Sequence, residues 1–251
     1  MEVNDFIKNI VVSDHTVVKP IPNIFGINGK IGSGKDTVGK IIKYLTLRHK
    51  QLPNGYDPER DLVSFNDFDI NTEYNLSDFE IKKFAGKLKT MASLLTGIPS
   101  EKFEDQEFKK LEMPECWNKL QQSGRGKAVK PMTYRQFLQE LGTDAMRDGL
   151  HTNVWVNALF SDYKPLVYSD RGGFEYPSWI ITDMRFPNEM EAVKEKGGIT
   201  IRVVRPGTKN GNHPSETALD NSKFDYEIIN NGTLEYLVEK VRIILKKEGV
   251  I

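Results

Sequence analysis

The segment Gly29 to Thr37, G-K-I-G-S-G-K-D-T, limits the fold more than any other stretch of the chain. Gly29, four intervening residues and then Gly34-Lys35 match the spacing of a phosphate-binding loop, a motif that requires a strand before it and a helix after it. Both neighbours are present. Ile21 to Ile27 is a short apolar run, and Val38 to His49 carries apolar residues at Val38, Ile41, Ile42 and Leu45, the spacing of one helical face. Glycines let consecutive backbone N–H groups turn towards one anion, and the following helix points the positive end of its dipole at the same place. The segment therefore predicts an ATP cradle of Gly29, Lys30, Gly32, Ser33, Gly34, Lys35, Asp36 and Thr37, with Lys35 bridging the outer phosphates. Motifs of this type place a hydroxyl directly after the lysine. Here Asp36 stands there and Thr37 follows, so one of the two is the expected Mg2+ contact. A glycine-rich turn capped by Asp36 is the alternative that needs no ligand.

Further elements follow the same alternation. Phe79 to Phe84, Trp179 to Thr182 and Ile199 to Val204 read as strands; Gly86 to Leu95, Met132 to Asp148, Val154 to Phe160, Asn188 to Lys196 and Leu234 to Lys246 read as helices. Strands separated by helices imply parallel pairing, because parallel neighbours need crossover connections. The expected fold is α/β, a parallel sheet flanked by helices, with all 251 residues in a single domain. Residues 1–20 read as an N-terminal extension, Leu52 to Asp78 as a polar excursion, and Ser100 to Lys130 as a charged stretch with a loop around Gly124, Arg125 and Gly126.

Composition excludes several classes. Lysine plus arginine equals aspartate plus glutamate at 35 each, which argues against a nucleic-acid binder relying on cationic excess. One cysteine, Cys116, excludes an internal disulfide framework and fits a reducing compartment. Neither a signal-like N-terminus nor a run of membrane-spanning length is present, so a soluble, cytoplasmic protein without a membrane partner is expected.

Asp183 stands where the apolar run W-I-I-T ends, and ligands of open parallel sheets gather at the carboxyl ends of strands. A carboxylate there holds Mg2+ or orients an attacking oxygen, unless it caps the next helix. Arg185, two residues on, suits neutralisation of a transferring phosphoryl group. Arg135 and Arg147 are twelve apart, just over three helical turns, and either share a functional face or form a solvated one. The polar segment from Arg205 to Asn221 follows a strand and reads as a lid, with Arg205 on the phosphates and His213 and Glu216 as latches; a plain connecting loop is the alternative. Trp155, at helical spacing with Leu159, serves either the core or a stacking platform.

Taken in order, G-K-I-G-S-G-K-D-T, F-A-G-K-L-K, Y-R-Q-F-L-Q-E-L-G-T-D-A-M-R, T-D-M-R-F-P-N-E and I-I-N-N-G-T-L-E-Y-L resemble the deoxynucleoside monophosphate kinases of tailed bacteriophages. The resemblance runs from about Ile21 onwards. It implies a nucleoside-monophosphate-kinase-like P-loop fold with a lid, moving the ATP γ-phosphate to a deoxynucleoside 5′-monophosphate with Mg2+. It places the acceptor site in residues 85–150, with Arg135 on the acceptor phosphate, Asp144 and Arg147 nearby, and Lys87 or Lys89 at the start of the acceptor-binding helix. It brings the turn at Asn230, Asn231 and Gly232 near the adenine, although a helix capped by Thr233 explains that turn as well. The expected catalytic set is Lys35, Asp183, Arg185 and Arg205, and the expected partners are small nucleotides, with a homodimer left open. Competing readings are a dephospho-coenzyme A or phosphomevalonate kinase, a GTP switch, or a motor ATPase. A switch would carry an N-K-x-D motif, which the chain lacks, and a motor a larger or more basic chain.

Overall fold

The computed structural model describes residues 21–51, 65, 79–123, 126–165, 175–208 and 214–251. The expected N-terminal extension, the Leu52 to Asp78 excursion apart from Phe65, Arg125 and His213 lie outside the described residues.

Five strands form one parallel sheet: β1 (Ile24–Gly29), β2 (Phe79–Lys82), β5 (Ser178–Ile181), β6 (Ile199–Val204) and β7 (Tyr226–Ile229), in the spatial order β2-β5-β1-β6-β7. β1 is central, its Phe25 opposite both Ile180 of β5 and Ile199 of β6. Strand side chains alternate between faces, and the apolar runs of β1 and β5 supply both. Phe25, Ile27 and Ile180 pack with α1 (Lys35–Gln51) and α7 (Leu234–Lys247), where Val38, Ile41, Ile42, Val241 and Leu245 are buried. Ile24, Trp179 and Ile181 face the other way, onto α4 (Val154–Phe160) and α5 (Pro187–Glu195) through Trp155, Leu159, Met190 and Val193. Such near-continuous apolar strands are what a sheet covered on both sides requires.

Outside this sheet, α2 (Ala85–Thr96) ends on Gly97 in the left-handed region at φ 72°, with its N–H on the Ser93 carbonyl. Short 3-10 turns follow, then an antiparallel hairpin of β3 (Lys119–Ser123) and β4 (Gly126–Lys130), where the sequence showed only a charged stretch. Next, α3 (Tyr134–Gln139) opens with a capping box between Thr133 and Gln136 and runs on as a π-helix over Glu140–Asp148. Ala92, Phe103, Met113, Met132, Tyr134 and Phe137 form a third, smaller core there. Among the described residues, no helix is long and apolar enough to cross a membrane.

Candidate active site

The cradle follows directly from the glycine spacing. Gly32 and Gly34 take φ of 79° and 95°, and Gly29 admits no side chain, since a Cβ there would lie 2.4 Å from Ser33 Oγ and 2.7 Å from the Val203 carbonyl oxygen. The Ser33 N–H donates to the Lys30 carbonyl at 3.0 Å, closing the turn. From the end of β7 comes a second support: Asn230 Nδ2 donates to the Ser33 carbonyl at 2.8 Å. Ser33 Oγ is buried without a hydrogen-bond partner among the described residues, an arrangement that suits a cradle whose polar groups complete their bonding on a ligand. Lys30 turns away from the cradle. Its ammonium bonds the Glu216 carbonyl and, at 2.6 Å, the Asp220 carboxylate, fastening the loop to the lid-like segment.

Lys35 and Asp36 line a cleft of about 1090 Å³, counting its open mouth. Burial lowers the Lys35 ammonium below the usual lysine range; Asp36 opposes that, while the Arg185 cation adds to it. Asp183, at the end of β5, has its two carboxylate oxygens on the backbone N–H groups of Phe84 (2.8 Å) and Ala85 (3.0 Å). The helix it caps is therefore α2, next door in the sheet, and not the helix that follows it in sequence. Arg185 donates from Nη1 to Glu216 Oε1 at 2.9 Å, so the strand end and the short helix α6 (Pro214–Thr217) meet at the cleft.

Basic side chains from Lys83 to Arg135 line the same cleft. Lys83 and Lys89 grip the two oxygens of Glu104 at 2.9 and 2.5 Å; although burial opposes ionisation, this pair holds the Glu104 carboxyl down at about 2. Lys109 is depressed to about 8 by burial and by the neighbouring Lys89 and Arg135 cations. Arg135 donates to Gln106 Oε1 at 2.9 Å. Leu88, Phe103, Leu138 and Trp155 supply the cleft's apolar wall. Trp155 is both core and wall: it is buried, and its indole N–H donates to the Gly142 carbonyl at 2.7 Å.

Other expected residues lie apart from this wall. Lys87 pairs with Asp162 at 2.8 Å, and it is Lys89 that lines the cleft. Asp144, Arg205 and Asn231 are exposed, while Thr37 is half-buried on the first turn of α1. Arg147 is 9% exposed, its guanidinium 3.8 Å over the Phe186 ring and donating to Asn188 Oδ1 at 2.7 Å. Sequence reasoning missed Lys83, Glu104, Lys109 and Glu189, and for Asn230 it missed the support given to Ser33. Glu189 and Asn230 fall inside quoted motifs, but no local signal separated Glu104 and Lys109 from an ordinary charged surface.

Among the described residues no group of three His, Cys, Asp or Glu side chains is placed to hold a metal. Asp36 and Asp183 do line the cleft beside Lys35. One or two carboxylates near a phosphate cradle fit a Mg2+ carried mainly by phosphate oxygens and water, the usual manner for that ion.

Comparison with known proteins agrees with this geometry. A deoxynucleotide monophosphate kinase family model matches residues 49–241. A protein of Acanthamoeba polyphaga mimivirus is 34% identical over 118 residues, 43% of this chain and 59% of its own. Deoxynucleotide monophosphate kinases of Enterobacteria phage T4 and Escherichia phage RB69 are 36% and 34% identical over 113 residues, 45% of this chain and 45% and 44% of theirs. The aligned region thus spans about half the length of these relatives. With the family match covering most of its length, the chain belongs to the deoxynucleotide monophosphate kinase family.

Proposed function

We propose that this protein transfers the γ-phosphoryl group of ATP to a deoxynucleoside 5′-monophosphate, giving the diphosphate. One observation carries the reading: a single cleft is lined by Lys35 and Asp36 of the phosphate loop, by the cations Lys83, Lys89, Lys109 and Arg135, and by the apolar side chains of Leu88, Leu138 and Trp155. The phosphate loop with Lys35 suits the donor phosphates. The crowded cations Lys89, Lys109 and Arg135, with Lys109 depressed to about 8, suit a dianionic acceptor phosphate. Leu138 and Trp155 provide the surface against which a base packs.

Phosphoryl transfer needs alignment and charge neutralisation more than a strong base, and an acceptor phosphate is already ionised near neutral pH. Lys35 and the loop N–H groups hold the donor phosphates, Arg185 neutralises charge on the transferring group, and Arg135 with Lys89 and Lys109 orients the acceptor. Asp36, Thr37 and Asp183 are the residues to hold Mg2+, which when bound neutralises phosphate oxygens. Residues 205–221 act as the lid, excluding water through the contacts of Glu216 and Asp220. The turn at Asn231 approaches the adenine. A dephospho-coenzyme A or phosphomevalonate kinase is not favoured by the family match.

The test is an ATP-consumption assay across all common nucleoside and deoxynucleoside monophosphates, alongside Lys35→Ala. Deoxynucleoside monophosphates should be phosphorylated, with turnover nearly abolished in the variant. Transfer to no monophosphate, or wild-type rates in Lys35→Ala, would refute the reading.

A further inference from the structure

The end of the T-D-M-R-F-P-N-E motif has no task in this scheme, yet its last residue is the more deeply buried of the motif's two carboxylates, both of which line the cleft: Glu189 is 3% exposed and Asp183 is 7%. Glu189 Oε2 accepts two backbone N–H bonds, from Arg185 at 2.6 Å and from Phe186 at 3.0 Å. These two peptide groups flank the Arg185 Cα, so holding both fixes the residue's φ and ψ and with them the direction of its Cα–Cβ bond. Capping α5 requires only the second of them, because Phe186 is the N-cap and Glu189 the third helical residue. The shorter bond goes beyond the helix, to the arginine that lines the cleft.

Burying this carboxyl is unfavourable. It is pushed up to about 7 by burial against the two N–H bonds, with Asp183 adding to the rise and Arg147 opposing it. An apolar residue at this helical position would avoid that cost, so the carboxyl group does more than fill space.

We propose that Glu189 is a positioning residue for Arg185, holding its backbone so that the guanidinium meets the transferring phosphoryl group in line. This rests on the reading of Arg185 given above. The predicted signature is a loss in turnover without a matching loss in substrate binding, because a misplacement of about 1 Å costs on the order of 100-fold in rate.

The experiment measures kcat and both KM values, for ATP and a deoxynucleoside monophosphate, in wild type, Glu189→Gln, Glu189→Leu, Arg185→Ala and the Arg185→Ala/Glu189→Leu double variant. Glutamine keeps an acceptor oxygen in place and should stay within about 3-fold of wild type. Leucine should lower kcat by about 10- to 100-fold with both KM values within about 3-fold. In the Arg185→Ala background it should change kcat by less than about 2-fold, since a residue acting only through Arg185 has nothing left to position. Equal losses in the glutamine and leucine variants, or a full additive loss in the double variant, would overturn the proposal. Should Glu189→Leu show no cooperative melt, Glu189→Asp, shorter by one methylene, makes the same comparison. A wild-type protein that transfers no phosphate would remove the proposed function and this role with it; an active one with an additive cycle would remove this role alone.

Discussion

Gly34 provides the sharpest test of how the cradle is held. Its φ of 95° lies beyond the usual left-handed well, and a Cβ added to it would sit 2.5 Å from Asn230 Nδ2, the atom that donates to the Ser33 carbonyl at 2.8 Å. In Gly34→Ala the backbone strain costs about 1–3 kcal/mol. Displacing the Asn230 amide breaks its hydrogen bond, adding about 1 kcal/mol. The sum is about 2–4 kcal/mol, which for a chain of this size lowers Tm by about 4–16 °C. In an Asn230→Ala background the bond is already gone and the collision relieved, so Gly34→Ala should then cost only the strain, with a coupling of about 1 kcal/mol. Thermal unfolding of wild type, both single variants and the double variant measures this cycle, and titration with ATP reports the cradle itself. A Gly34→Ala protein as stable as wild type would refute the strain argument. Strict additivity with Asn230→Ala would refute the contact.

Other predictions address the acceptor end and the helix starts. Because the Lys109 ammonium is depressed to about 8, it loses its charge as pH rises through that value, so KM for the monophosphate should increase above pH 8 in wild type and stay flatter in Lys109→Met; parallel profiles would remove Lys109 from the site. The Glu189 carboxyl is raised to about 7 from an ordinary 4.5, so the stability it contributes is complete below about 4.5 and lost as pH rises through 7. Melting curves should therefore show Glu189→Gln gaining on wild type between pH 5 and pH 8, and a constant difference would contradict the shift. Thr133→Ala removes the Oγ acceptor for the Gln136 N–H at 3.2 Å, costing about 1 kcal/mol and thus about 2–4 °C in Tm. An unchanged melt would show the cap to be idle.

Periodicity and glycine spacing carried much of the fold. Ile199–Val204 and Val154–Phe160 have the bounds read from their apolar runs, and Lys35–Gln51 begins at the lysine that ends the glycine loop. Less visible were β7, Tyr226–Ile229, which follows the polar stretch read as a lid, and the β3–β4 hairpin, hidden in a charged stretch because its register comes from cross-strand pairing. The π-helical continuation over Glu140–Asp148 likewise has no local sign in residues whose spacing reads as ordinary helix.

What the sequence determined by itself was the character of single short segments: a glycine-rich loop at Gly29 to Thr37 between a strand and a helix, an acid and an arginine at a strand end, a helix carrying Arg135. Those features depend on neighbours within a few residues, which is why they can be read locally. Tertiary structure alone decided which separated charges meet. Asp183 caps α2 about a hundred residues earlier, Asn230 braces Ser33, Lys30 reaches Asp220, and Lys109 joins Arg135 and Lys89 while Lys87 turns to Asp162. Coulombic and hydrogen-bond energies depend on distance in space, and only the packed sheet and its helices set that distance.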